Sequence, residues 1–135
     1  LMQENVVFTA SIKDNITLFQ KEESVNYDYI KRLLQHFALD QMLKENGLTF
    51  DSIISRITGN LSGGQIQRLC LVRELYKNPQ LILLDEFTSA LDYKTEKQII
   101  KDLLSWRSDL TVVIVTHRDE VLKYVEHVID LNNEI

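Results

Sequence analysis

The sequence predicts an α/β fold in which a helical segment precedes part of a parallel sheet flanked by helices. Two observations carry this. The apolar runs Leu81-Ile82-Leu83-Leu84 and Thr111-Val112-Val113-Ile114-Val115 lack polar alternation, as expected of parallel strands covered on both faces. Between them, Lys94 to Trp106 places Ile99, Ile100, Leu103 and Leu104 on one helical face, so strand and helix alternate as in a parallel crossover.

The elements follow in order. Val6 to Thr9 is apolar and β-prone. Ser11, with Asp14 three residues on, predicts a helix cap and a short helix or turn over 12–19. Lys21 to Asn26 is polar and reads as a loop. Ile30, Leu33, Leu34 and Phe37 make the i, i+3, i+4, i+7 stripe of an amphipathic helix from Tyr27 to Ala38. Asp40 is expected to cap a short helix through Leu43, which Asn46-Gly47 stops. The stretch 48–60 is mixed, with a turn at Gly59-Asn60. Gln65 to Tyr76 reads as a helix ended by Asn78-Pro79. After the two apolar runs and the helix between them, Asp119 to Tyr124 predicts a short helix, His127 to Leu131 a third strand, and Asn132-Asn133 a turn.

Composition narrows the function classes. The 135 residues are enough for one domain with a core, and with only 4 Gly and 1 Pro they hold no long flexible linker. Fifteen Lys and Arg stand against twenty Asp and Glu, a net charge of -5, which argues against a broad nucleic-acid footprint. Cys70 is the single cysteine, so no internal disulfide framework exists. The apolar runs are far too short to span a bilayer, and no signal segment opens the chain. The opening residues Leu1-Met2-Gln3-Glu4 read as a cut inside a longer protein.

Four short motifs carry chemistry. In Leu61-Ser62-Gly63-Gly64-Gln65, Ser62 can cap the following helix and the glycines let an anion approach backbone N–H groups at its positive end. Read alone, the stretch is more simply a helix start after a glycine turn. Asp85 and Glu86 close the first apolar run, at the carboxyl end of a strand where α/β sheets bind ligands. One acid there can hold magnesium and the other can deprotonate an attacking water, or both are simply solvated. Ser89-Ala90-Leu91-Asp92 alone reads as a turn and helix cap. His117 ends the second run and can reach the same ligand edge, or be structural.

Taken together, in this order and on these elements, the motifs resemble the ATP-binding cassette (ABC) family over nearly the whole length. Leu61 to Gln65 is similar to its LSGGQ signature, Leu81 to Asp85 to its Walker B strand with Glu86 at the catalytic carboxylate, and Ser89 to Asp92 to its D-loop. His117, in Val115-Thr116-His117-Arg118, resembles its switch histidine, and Gln3 resembles its Q-loop glutamine. Phe8 to Ile16 is similar to the stretch that follows the Q-loop in exporter-type members. The resemblance implies a partial P-loop NTPase fold over 1–135. Residues of about 9–76 would form the Q-loop exit, helical subdomain and signature helix, and those of about 77–135 the core from Walker B to the switch histidine.

The resemblance also implies roles. ATP and Mg2+ are the implied cofactors. ATP lies between two nucleotide-binding domains arranged head to tail, with Ser62, Gly63, Gly64 and Gln65 closing on the γ-phosphate held by the partner domain. Asp85 helps hold magnesium, Glu86 is general base, and His117 contacts the γ-phosphate. Gln3 senses magnesium and water, and Asp92 communicates across the dimer. The implied partners are a second such domain and the transmembrane domains of an exporter. The implied place is the cytoplasmic face of a membrane, with the chain itself soluble.

Departures set further expectations. No G-x-x-x-x-G-K-[ST] phosphate loop occurs in the sequence. The chain alone is therefore expected neither to hydrolyse ATP nor to bind it tightly, and to self-associate through exposed apolar sheet edges. Ile66 follows the signature where exporters often carry a basic residue, and Ser55 to Thr58 stands where many carry an acidic, glycine-containing loop. Two other readings remain: a non-catalytic remnant or interaction fragment, and an ABC ATPase not concerned with transport. Cys70, His36, His127 and Trp106 lack metal-ligand spacing or a recognition pattern and read as structural.

Overall fold

The computed structural model describes residues 6–55, 59, 61–87 and 91–131. The first helix, α1 (Ile12–Thr17), begins where the cap signal predicts. The Ser11 hydroxyl oxygen accepts from the Asp14 N–H at 2.9 Å and donates to the Asp14 carboxylate at 2.7 Å. Leu18 and Phe19 then turn left-handed, at φ 54° and 62°, and end it.

The β-prone stretch 6–9 is not a strand. The Asn15 side chain takes its backbone groups instead, accepting from the Phe8 N–H at 2.9 Å and donating to the Phe8 carbonyl at 3.0 Å. The strand lies just beyond, as β1 (Ala10–Ser11), and pairs antiparallel with β2 (Ile53–Ile54) from the stretch without periodicity.

Helix α2 (Tyr27–His36) buries its predicted stripe of Ile30, Leu33 and Leu34, with Phe37 just past its end. Helix α3 (Leu39–Glu45) corrects the expected cap. Left-handed Ala38 stands at the N-cap without a side-chain bond, and Asp40 sits inside the first turn, where its charge still favours the helix N-terminus. Helix α4 (Gly63–Tyr76) is buried on several sides through Leu69, Cys70, Leu71, Val72 and Leu75.

The parallel pair is β3 (Leu81–Asp85) with β4 (Thr111–Val115), in register from Leu81 opposite Thr111 to Asp85 opposite Val115. Helix α5 (Tyr93–Trp106) makes the crossover. One buried cluster joins α1, α2, α4 and β3 to Ile99 and Leu103 of α5. At its rim Trp106 stacks near His36 and Tyr29, while His36 Nε2 donates to the Asp102 carbonyl at 2.6 Å. His36 and Trp106 thus tie the helical segment to α5.

Two expectations fail in this half. The strands are not covered on both faces. Ile82 and Leu84 are buried, but Leu83 and Val113 on the opposite face are 52% and 44% exposed, because no described element packs over them. The predicted third strand at His127 to Leu131 does not form. No described strand pairs with it, and Val128, Ile129 and Leu131 face solvent. The preceding helix is a single short 3-10 turn, Val121–Tyr124. No helix among the described residues is long and apolar enough to cross a membrane.

Candidate functional site

The parallel register of β3 and β4 sets Asp85 and Glu86 beside Val115, Thr116 and His117 at the carboxyl end of the strand pair. Glu86 continues the ladder by donating its N–H to the Val115 carbonyl at 2.9 Å. It then leaves the strand at φ 43°, a left-handed conformation that costs a non-glycine residue energy and that surrounding structure must hold. That turn carries its side chain to His117, whose Nδ1 lies 2.9 Å from Oε1. The carboxylate can accept from an Nδ1–H, and Nε2 is left to face a ligand. Glu86 is half-buried at 35% side-chain exposure and His117 stands out at 70%. Leu84, Phe87, Thr116 and Arg118 line the small crevice between them.

Asp85 ends β3 on the exposed face and has no side-chain hydrogen bond among the described residues. No group of three or more metal-ligating side chains occurs among those residues. Magnesium at a nucleotide is commonly held by one or two carboxylates together with waters and phosphates. A solvated Asp85 one residue from the Glu86–His117 pair fits that donor set.

The signature stretch forms a reciprocal cap. The Gln65 N–H donates to the Ser62 hydroxyl at 3.3 Å, and the Ser62 N–H donates to Gln65 Oε1 at 2.8 Å. Both side chains expected to meet a ligand are thus engaged with their own helix start. The two glycines differ. A Cβ on Gly63 would meet nothing within 4 Å, whereas one on Gly64 would stand 3.1 Å from a Thr95 methyl. Gly63 leaves open room for an approaching anion, and Gly64 allows α4 to pack against the start of α5.

Asp92 is the N-cap of α5. Its carboxylate accepts from the Thr95 N–H at 3.1 Å and the Thr95 hydroxyl at 2.6 Å. The Thr95 hydroxyl, then the Thr95 amide, hold its pKa below the usual carboxylate value of 3.8. Gln3, Ser89 and Ala90 lie outside the described residues. Among the remainder, the fold brings Glu86 to His117. No hydrogen bond joins Ser62 to Gln65 with that pair.

Three polar residues inside the fold were not singled out by sequence. Gln67 is 4% exposed and donates from Nε2 to the Phe87 carbonyl at 2.5 Å. Arg118 pairs with buried Glu96 at 2.7 Å and reaches the Leu91 carbonyl at 3.4 Å, joining the residue after His117 to the start of α5. Arg73 reaches across to Asn15 and Val6. Helix α4 also carries Gln65, Arg68 and Glu74, so no local signal separates Gln67 and Arg73 from its other polar residues.

The sequence also matches known proteins. The family model described as ABC transporter matches residues 1–89. The chain is 35% identical over 134 residues to the alpha-hemolysin translocation ATP-binding protein HlyB of Escherichia coli O157:H7, covering 98% of this chain and 19% of that protein. It is 33% identical over 133 residues to multidrug resistance protein 1 of Plasmodium falciparum isolate 3D7, covering 97% and 9%. It is 35% identical over 126 residues to the probable multidrug resistance ABC transporter ATP-binding/permease protein YheI of Bacillus subtilis strain 168, covering 93% and 20%. The chain thus spans a fifth or less of the length of these relatives.

Proposed function

The chain belongs to the ABC transporter ATP-binding family, and from that premise we propose that it is the signature-to-switch part of an ATPase domain that couples ATP hydrolysis to export across a membrane. The observation that carries the reading is the 2.9 Å contact of His117 with Glu86 at the carboxyl end of the parallel strands, where an α/β sheet binds its ligand. Names of the relatives that refer to alpha-hemolysin translocation and multidrug resistance support export.

In this reading Glu86 accepts the proton of the attacking water, and Asp85 would help hold magnesium. When bound, magnesium neutralises developing charge on the phosphates. His117 contacts the γ-phosphate through Nε2, which donates there only when that nitrogen carries a proton. Glu86 must turn partly from His117 to take the water's proton. Its half-exposed position leaves room for that. The Gly63 and Gly64 N–H groups, unpaired among the described residues, face the γ-phosphate of ATP on a second, head-to-tail domain. Gln3 senses magnesium, and Asp92 lies at the dimer contact. Transmembrane domains are the remaining partners, and the assembly works at the cytoplasmic face of the membrane.

Isolated, the chain does not turn over ATP, because the sequence holds no phosphate loop or its lysine. A second reading is a non-catalytic remnant or interaction fragment. A segment exchange separates the two. This chain replaces the corresponding segment of the Escherichia coli O157:H7 relative, and Mg-ATP hydrolysis is measured. The exchange protein hydrolyses ATP, and Glu86→Gln lowers its rate about 100-fold or more. An inactive but folded exchange protein supports the remnant, and full activity in Glu86→Gln removes Glu86 as the base. Micromolar binding of Mg-ATP to the isolated chain by calorimetry would overturn the predicted inactivity.

A further inference from the structure

We propose that Gln67 is a positioning residue that fixes the turn carrying Glu86 and ties it to the helix that begins with the signature. The inference rests on the reading of Glu86 as the reacting carboxylate and adds a residue acting through it. Three observations meet at this point. Glu86 is left-handed at φ 43°, and such a residue persists only where its neighbours hold it. On its N-terminal side the hold is the Glu86 N–H on the Val115 carbonyl at 2.9 Å. On its C-terminal side it is the Phe87 carbonyl, which accepts from Gln67 Nε2 at 2.5 Å.

The Gln67 side chain is committed to this contact. The acceptor is a carbonyl, so only the NH2 end of the amide can face it. Gln67 is 4% exposed and Phe87 is 3% exposed, so water does not compete. The other end, Oε1, is buried without a hydrogen-bond partner among the described residues. An orphaned acceptor is unfavourable, and the amide keeps this orientation because the contact with Phe87 outweighs it.

Gln67 lies one helical turn beyond Gly63 and Gly64. A shift of α4 that accompanies an anion at Gly63 would therefore pull on the Phe87 carbonyl and re-aim Glu86. The hydrogen bond links the surface that serves a neighbouring nucleotide with the carboxylate that serves this chain's own.

The test uses the full 135-residue chain and needs no nucleotide, so its outcome is independent of whether Glu86 proves to be the base. A left-handed residue gives a strong intraresidue HN–Hα nuclear Overhauser effect. In the wild-type chain Glu86 shows it. In Gln67→Met, which keeps the length of the side chain and removes the donor, that effect falls to the level of an ordinary residue and the His117 ring signals move. The amide shifts of Leu71 and Leu75, deeper in α4, stay within line width. Unchanged Glu86 and His117 signals in a folded Gln67→Met chain overturn the proposal. If that variant does not fold, the wild-type chain decides: a through-hydrogen-bond coupling between Gln67 Nε2 and the Phe87 carbonyl carbon supports it, and its absence overturns it.

Discussion

Replacing Arg73 tests how the stretch before β1 is held against α4. Arg73 is 7% exposed. It donates from Nε to the Asn15 carbonyl at 2.6 Å, from one terminal nitrogen to the Val6 carbonyl at 2.8 Å, and from the other to Asn15 Oδ1 at 3.2 Å. The Phe8 ring centroid lies 5.2 Å from its central carbon. Hydrogen bonds from a charged donor contribute about 1.5–3 kcal/mol each, but they share one fork and do not add. No carboxylate pairs with Arg73 among the described residues, so its desolvation offsets part of the gain. Arg73→Met keeps the packed stem, strands the acceptors on Val6 and Asn15, and is expected to cost about 3 kcal/mol. Arg73→Lys keeps the charge, but an ammonium cannot reproduce the planar fork, so it is expected to cost about 2 kcal/mol. Urea unfolding followed by circular dichroism reads both. With a slope of about 2 kcal/mol/M for a chain of this size, the Met midpoint falls by about 1.5 M. A fall below about 0.3 M for Met, or a Lys variant equal to wild type, refutes the bonding argument.

Other expectations follow from local geometry. Ser62→Ala removes one side of the reciprocal cap on α4 and costs about 1 kcal/mol, whereas Ser62→Asp keeps it; thermal unfolding distinguishes them, and equal midpoints would discount the cap. The Asp92 carboxyl has its pKa depressed in the folded chain, first by the Thr95 hydroxyl and then by the Thr95 amide. Its stabilising effect is therefore complete above the unfolded carboxylate value and is lost as pH falls through the lower folded value. Asn caps a helix as well as Asp does. Asp92→Asn should therefore flatten the acid-side dependence of Thr95 and Glu96 amide exchange while leaving α5 formed. The exposed face of β3 and β4 predicts self-association, and Leu83→Lys with Val113→Lys should weaken it at least about tenfold by light scattering; a monomeric wild-type chain at high concentration contradicts this.

Helices and motif positions were the most legible features. Ile30, Leu33 and Leu34 read as a buried stripe and are one, because helical periodicity is written locally. The Ser11 and Ser62 caps were legible for the same reason, since each joins residues three apart. The two runs later seen as β3 and β4 read correctly as parallel strands. Their burial did not, because covering a face depends on what packs there. The β-prone stretch 6–9 forms no strand because the Asn15 side chain takes the backbone groups of Phe8, a competition no β-propensity records. The stretch His127 to Leu131 has strand-like composition but joins neither sheet among the described residues.

The sequence by itself determined the family and the order of its motifs, because those are residue types at fixed spacings. It also showed that no phosphate loop lies within the chain. The tertiary structure decided which groups meet: Glu86 with His117 across 31 residues, Gln67 with the Phe87 carbonyl across 20, and Arg73 with Val6 across 67. The reason is physical. A periodic pattern or a cap is satisfied within a turn or two of chain, whereas a strand-end carboxylate or a buried amide finds its partner only after the register of a sheet and the packing of a helix are set.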